Sequence, residues 1–493
     1  MAKNILVFSD GTGQAGGISF DENRSNIYKL YRATRVGPDS CVDPSRQIAY
    51  YDAGLGSVPP GGGSIRTAYR WVYNTISQAT GFGLTANIID CYQVIVQVWQ
   101  PGDRIYLFGF SRGAYTARCV AAALALCGIP TKIRDGSPIR RDSGSVRRIA
   151  KIAIKRVYQH TTSMHYPTAD ERTRELLDQR KDLAAKFRKT YECADSQCAY
   201  PYFVGAFDTV AAIANRRSAF WLSLAGIAFI VGISAVLAMW AQSFWWWLVV
   251  LGLSVALVCA AVYLWTHVKL EIGLKRKRRW RLFHLTVMRM RDWSLSDKVV
   301  YAKEALSIDE DRADFDRVPW GTRGAKRRDK DEKGNKTFEQ VWFAGNHSDI
   351  GGSYPENESR LSDIVLDWMV NAATSLDHPI MIDRSVLRLY PSADGMQHDE
   401  CKVGFKFITR LSGKTWKKKI RQLDDKEFVV HPSVVERFNL PAVLQYDVMA
   451  PYRPLALASH KDFQERPEYA SFEQCDQRNS HLSPHSGVSK SCD

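Results

Sequence analysis

Residues 218–266 contain no Asp, Glu, Lys or Arg. A helix that crosses a bilayer needs roughly 20 consecutive apolar residues, so a charge-free run of this length predicts two spans joined by a turn. Ala241-Gln242-Ser243 is the natural turn, which gives spans over 218–240 and 244–266. Trp221, Trp240, Trp245, Trp246, Trp247 and Trp265 fall at the span ends, where the headgroup layer favours indoles. A helical hairpin buried in a soluble core is the alternative, but core helices ordinarily keep one polar face. Arg216 and Arg217 precede the run, while Lys269, Lys275, Arg276, Lys277, Arg278, Arg279 and Arg281 follow it. The tip carries no charge. Positive residues stay on the cytoplasmic side, so a membrane protein with both soluble portions in the cytoplasm is expected.

The formal net charge of +15 owes much to the 275–281 cluster. Beside a membrane span that cluster reads as a contact for anionic lipid, and no nucleic-acid partner is expected. The N-terminal apolar run ends at Asp10, too soon for a signal-peptide core, and reads as a first strand. Of the ten cysteines, only Cys193 and Cys198 lie close together, with no second pair to complete a zinc site. They read as reduced thiols in a cytosol-facing protein, and no metal site is expected.

Strand-like and helix-like segments alternate on both sides of the apolar run. Strands are expected at Asn4–Ser9, Arg104–Phe110, 202–207 and about 340–344, with helical patterns at 65–77, 85–98, 114–126 and from about Ser362. Such alternation argues an α/β protein, a mostly parallel sheet covered by helices, here with an inserted two-helix transmembrane hairpin. The expected divisions are 1–215 and 282–375 for the two parts of the sheet domain and 216–281 for the hairpin with its basic segment. Residues 376–458 read as a further α+β region of no assigned role, and 459–493, polar and poor in aliphatic residues, as a disordered tail.

The strongest chemical motif is Gly109-Phe110-Ser111-Arg112-Gly113, set between an apolar strand and an Ala-rich helix. G-x-S-x-G in that setting is a nucleophile elbow, in which Gly109 and Gly113 permit a sharp turn and the serine projects above the sheet. The backbone N–H of Arg112, at the helix start, is a candidate oxyanion donor, and the turn at Gly11 and Thr12 is a candidate for the second. A serine needs a base, and the base needs an orienting acid, each at the end of a later strand. Phe203-Val204-Gly205-Ala206-Phe207 ends in Asp208, and Val341-Trp342-Phe343-Ala344-Gly345 leads into Asn346-His347. Ser111, Asp208 and His347 therefore stand in the order a hydrolase triad requires, with Asp349 as the rival acid. This chemistry needs no cofactor.

These blocks, together with Phe8-Ser9-Asp10-Gly11-Thr12, Tyr51-Asp52-Ala53-Gly54-Leu55-Gly56, Ala305-Leu306-Ser307-Ile308-Asp309-Glu310 and Leu361-Ser362-Asp363-Ile364, occur in one order over most of residues 3–375. In them the chain resembles the α/β-hydrolase family of type VI secretion phospholipase effectors. The resemblance implies a triad on Ser111, Asp208 and His347 and hydrolysis of phospholipid acyl esters. The hairpin soon after Asp208 is a departure from a secreted effector, since such spans need shielding in transit. Family membership does not by itself fix a substrate. The expectation is a membrane-anchored serine hydrolase whose partners are a bilayer and a phospholipid or other ester, with any protein partner left open. A hydrolase of non-lipid esters tethered to the membrane and a non-catalytic membrane scaffold are the alternatives.

Overall fold

Alternation along the strands builds the molecule. In Asn4–Ser9, Ile5 and Val7 enter one buried cluster while Leu6 and Phe8 enter another. Ile105 and Leu107 repeat the first choice, and Tyr106, Phe108 and Phe110 the second. Successive side chains on a strand point to opposite faces, so strands apolar throughout need cover on both sides. The computed structural model describes residues 2–11, 23–54, 83–161, 171–210, 231–232, 234–235, 244–272, 278–282, 295–313, 315–320, 329–403, 418–421, 423, 428–458, 460–467 and 469.

The first eight strands in chain order are β1 (Asn4–Ser9), β2 (Gln47–Asp52), β3 (Arg104–Phe110), β4 (Pro201–Phe207), β5 (Val268–Ile272), β6 (Arg278–Leu282), β7 (Tyr301–Ser307) and β8 (Phe338–Phe343). Six of them form one sheet in the order β2-β1-β3-β4-β7-β8, and every neighbouring pair in it is parallel. Helices α1 (Asn26–Thr34), α2 (Gly83–Val98) and α3 (Arg112–Cys127) connect or follow the first strands. Residues of α2 and α3 fill the cluster on one face, and residues of α1 and the later helix Arg360–Thr374 fill the other. Stacking of Phe8 on Phe108, with ring centroids 5.1 Å apart, ties β1 to β3 on the second face. Burying one such ring stabilises by about 1.5–3 kcal/mol.

The chain leaves β1 on one side to make β2 and returns on the other to make β3. Strand order reverses there, and the crevice outside the carboxyl ends at such a switch point is where α/β sheets bind ligands. Ser9 pairs with Gly109 in register, which puts Asp10–Gly11 and Phe110–Ser111 side by side at that edge.

The region after residue 376 covers the outer strand. Trp342 N donates to Val429 O at 2.9 Å, and His431 N donates to Trp342 O at 2.9 Å. Behind that contact Leu306, Ile308, Trp342 and Ala344 pack with Val434, Phe438, Tyr452 and Phe463. An exposed parallel edge invites wrong pairing, and this region blunts it. The tail expected to be disordered from 459 contributes: Phe463 and Tyr469 are buried, so its first part is ordered by apolar anchors too sparse to register in its composition.

The two-helix membrane hairpin is not found as such. Most of the first span, the Ala241-Gln242-Ser243 turn and residues 65–77 lie outside the described residues. The second span is a helix, Phe244–His267, whose side chains are described only as far as Leu257. Trp245, Trp246, Leu253 and Leu257 on it are exposed. Among the described residues no helix is long and apolar enough to cross a membrane. The basic segment that follows pairs β5 with β6 as an antiparallel ribbon.

Candidate active site

Ser111 sits between the last residue of β3 and the first of α3, with φ 58° and ψ −122°. A left-handed φ is unfavourable for a residue with a Cβ, by about 1–3 kcal/mol, and survives only where its surroundings impose it. Here Ser111 N donates to Phe207 O at 3.0 Å, and Tyr115 N donates to Ser111 O at 3.2 Å. The flanking glycines are required by close approach. A Cβ on Gly109 would lie 2.3 Å from Gly113 O, and one on Gly113 would lie 2.0 Å from Ser9 O. The small buried residues Ala114, Ala117 and Ala121 keep α3 against the sheet.

Asp208 follows β4, and its backbone is also left-handed, with φ 41°. Its carboxylate is fully buried. Oδ2 lies 2.6 Å from His347 Nδ1. Oδ1 accepts from Ser307 N at 3.1 Å. Arg421 then donates from Nη1 to Oδ1 at 2.5 Å and from Nη2 to Oδ2 at 3.2 Å. Burial alone would disfavour the charge, but Arg421 and the His347 hydrogen bond outweigh it and hold the Asp208 carboxyl below the usual carboxylate range.

His347 opens the short helix His347–Gly351, which a reciprocal cap fixes in place. Asn346 Oδ1 accepts from Ser348 N and Asp349 N at 2.8 and 2.9 Å, and Asp349 Oδ2 accepts from Asn346 N at 3.0 Å. His347 N donates to Glu310 Oε2 at 3.1 Å. Its ring lies against Phe110 and Phe315, with centroids 4.7 and 5.2 Å away. Because an ionised carboxylate only accepts, the proton belongs on Nδ1, which leaves Nε2 as the basic nitrogen of the neutral ring. Among the described residues Nε2 makes no hydrogen bond. Phe110, the neighbour of Ser111, touches this ring, and Phe207, the neighbour of Asp208, accepts from Ser111 N. Ser111, Asp208 and His347 thus follow β3, β4 and β8 at the carboxyl edge of the sheet; Asp208 and His347 are in contact, and among the described residues no hydrogen bond joins Ser111 Oγ to the His347 ring.

Asp349, the rival acid, faces another histidine: Oδ1 lies 2.7 Å from His398 Nδ1. Gly11 is placed beside the elbow, but its N–H donates to Asp10 Oδ1 at 2.7 Å, so it is not open to an oxyanion in this structure. The reason is local: Asp10 is buried and turned back by Ser25 and Tyr51, whose hydroxyls donate to Oδ2 at 2.5 and 2.6 Å. Thr12 lies outside the described residues. Arg112 begins α3 as expected, and burial pushes its guanidinium down to about 10.

Sequence reasoning missed Arg421 and Glu310. Arg421 stands in a lysine-rich stretch of the 376–458 region, to which the sequence assigns no role, and no motif marks it. Glu310 belongs to a quoted block but faces a backbone N–H that only the fold brings to it. Asp311, Asp399 and Cys401 are close enough to share a metal ion. Lys418 Nζ already lies 3.0 Å from Asp311 Oδ2 and 3.9 Å from Asp399 Oδ2, so the negative charge there has a counterion.

A parallel sheet, a strained serine at a strand-to-helix turn and a buried His–carboxylate pair at adjacent strand ends define an α/β protein with nucleophile-elbow geometry. Residues 3–372 match the family described as the type VI secretion system phospholipase effector Tle1-like catalytic domain, and the chain belongs to that family. An uncharacterized protein of Saccharomyces cerevisiae is 31% identical over 220 residues, which is 44% of this chain and 28% of that protein. Among solved structures, an uncharacterized protein from Pseudomonas aeruginosa aligns over 79% of this chain and 48% of its own, at 16% identity and a TM-score of 0.35. The Tle1 effector, solved bound to the VgrG spike of the type 6 secretion system, aligns over 72% of this chain and 52% of its own, at 15% identity and a TM-score of 0.26. The chain thus spans only about half, or less, of each relative's length.

Proposed function

We propose that the chain is a serine hydrolase of carboxylic esters, with phospholipid acyl esters as its substrate class. The observation that carries this reading is the 2.6 Å contact between His347 Nδ1 and the buried Asp208 carboxylate, at the sheet edge where Ser111 holds a left-handed turn. In this mechanism Ser111 Oγ attacks the ester carbonyl while His347 Nε2 takes its proton. Asp208 holds the imidazole in one tautomer and stabilises the imidazolium as it forms. The Arg112 N–H stabilises the oxyanion. His347 then returns the proton to the departing alcohol, and water repeats the sequence on the acyl-serine.

Lipid is favoured over soluble esters by the family to which the chain belongs and by the charge-free run inserted after Asp208, which would hold the catalytic edge near a bilayer. We place that run in a membrane as two spans, with both flanking portions cytoplasmic; exposed apolar residues on Phe244–His267 support a lipid-facing role. Fatty-acid release from mixed phospholipid vesicles, set beside soluble short-chain esters, tests the proposal. The parental protein should prefer vesicles and Ser111→Ala should release nothing above background. Equal release by the two proteins would sink the mechanism, and a preference for soluble esters would sink the lipid assignment.

A further inference from the structure

We propose that Arg421 is a positioning residue for this reaction, a cationic fork through which the region after residue 376 fixes and charge-balances the acid of the triad. The inference rests on the hydrolase reading above and deepens it. Both guanidinium nitrogens reach Asp208, one to each carboxylate oxygen. The same nitrogens donate to Ser307 O at 3.1 Å and Phe315 O at 3.0 Å. Arg421 is therefore tied both to the end of β7 and to the segment whose Phe315 ring abuts His347. It is 8% exposed, so the pairing is shielded from water and a planar fork is the side chain suited to it.

Among the described residues three further charged groups lie around the His347–Asp208 pair. Glu310 accepts from His347 N but is engaged by Arg312, whose Nε donates to it at 2.7 Å. Arg317 acts on Asp208 and Arg421 through space. Among the described residues Arg421 is the cation in direct contact with Asp208. Without it, the full negative charge of Asp208 would act on the imidazole and favour its protonated form. A protonated His347 cannot accept the proton of Ser111, so the base would be masked at neutral pH and recovered only in more alkaline solution. Arg421 in this view balances the charge of a completely buried carboxylate while that carboxylate orients the base.

The experiment compares the full-length parental protein, R421Q and R421K. It reads the pH dependence of kcat/KM on vesicle phospholipid, the rate of fluorophosphonate labelling of Ser111, and the melting temperature. For R421Q the acid limb should move to higher pH by about one unit. At pH 7 kcat should fall tenfold or more, with KM nearly unchanged. R421K, which restores charge without the fork, should return the limb to its parental position while kcat stays several-fold low. A folded R421Q with the parental limb and kcat overturns the proposal. Should R421Q fail to fold, R421K decides: a lowered kcat with an unmoved limb supports it, and a parental kcat overturns it. A parental protein that neither labels nor hydrolyses defeats the hydrolase reading itself, an outcome distinct from an active enzyme indifferent to Arg421.

Discussion

Two buried histidine–carboxylate pairs lie within a few residues of each other, and the difference between them shows what the fold asks of each. His347 meets Asp208 at 2.6 Å and His398 meets Asp349 at 2.7 Å, both through Nδ1. By distance they are equivalent. His398, however, also uses Nε2, which lies 3.2 Å from Glu358 Oε2, and its ring stacks on Tyr354 with centroids 3.5 Å apart. It is clamped between two carboxylates. Burial opposes its charge, but Asp349 and Glu358 outweigh that and push its pKa up. Among the described residues the His347 ring meets one carboxylate, Asp208, and that carboxylate is balanced by Arg421. A histidine clamped between two carboxylates holds structure together, while one with a single partner and an open second nitrogen is able to carry a proton.

The sharpest way to break this comparison is to delete each ring. On the proposed mechanism, Ser111→Ala and His347→Ala should each lower kcat by about 10³–10⁶-fold. His398→Gln should leave it within about tenfold, because that ring acts only through structure. Fatty-acid release measured on all three decides, and a His398→Gln loss as deep as that of His347→Ala would erase the distinction. Asp208→Asn comes next. It should preserve the fold yet cost about 10⁴-fold in kcat, since an amide presents the wrong partner to Nδ1.

A smaller effect separates placement from chemistry. A Cβ on Gly351 would lie 2.0 Å from the Phe110 ring, the ring that rests on His347. Gly351→Ala should therefore displace the base and lower kcat by about 10²-fold. A rate indistinguishable from parental would show that the Phe110 contact does not position the histidine.

The smallest effects are in stability against pH, where the two pairs act at opposite ends. The raised pKa of His398 means that its contribution is complete below the unfolded value of 6.5 and is lost as pH rises through its folded value. His398→Gln should flatten the alkaline decline in melting temperature. The depressed pKa of Asp208 means that its contribution is present above 3.8 and lost as pH falls through the folded value. R421Q should bring acid unfolding to higher pH. Thermal melts across pH 3–9 read both slopes.

The elbow and the strands that carry it were legible because short apolar runs and the G-x-S-x-G turn are properties of contiguous sequence, and the order Ser, Asp, His can be read along the chain. β3 runs over the residues its apolar run predicts, and β1 likewise. β7 was hidden for a physical reason. Its centre, Lys303-Glu304, is charged yet buried, satisfied by Lys303 Nζ on Glu339 at 2.9 Å and by Gln340 Nε2 donating to Glu304 at 2.6 Å. A strand whose polar groups are neutralised by distant partners shows no hydrophobic run. Arg421 was hidden likewise, its partner lying 213 positions away. The oxyanion donor expected at Gly11 missed for a local reason: a preceding aspartate can turn back on the next amide, and sequence does not say that it will.

Site-resolved fluorophosphonate labelling tests the central claim most directly. The adduct should map to Ser111 in the parental protein, persist in His398→Gln and vanish in His347→Ala. Folded parental protein that carries no adduct on Ser111, or a His347→Ala variant that labels as fast as the parent, would contradict it.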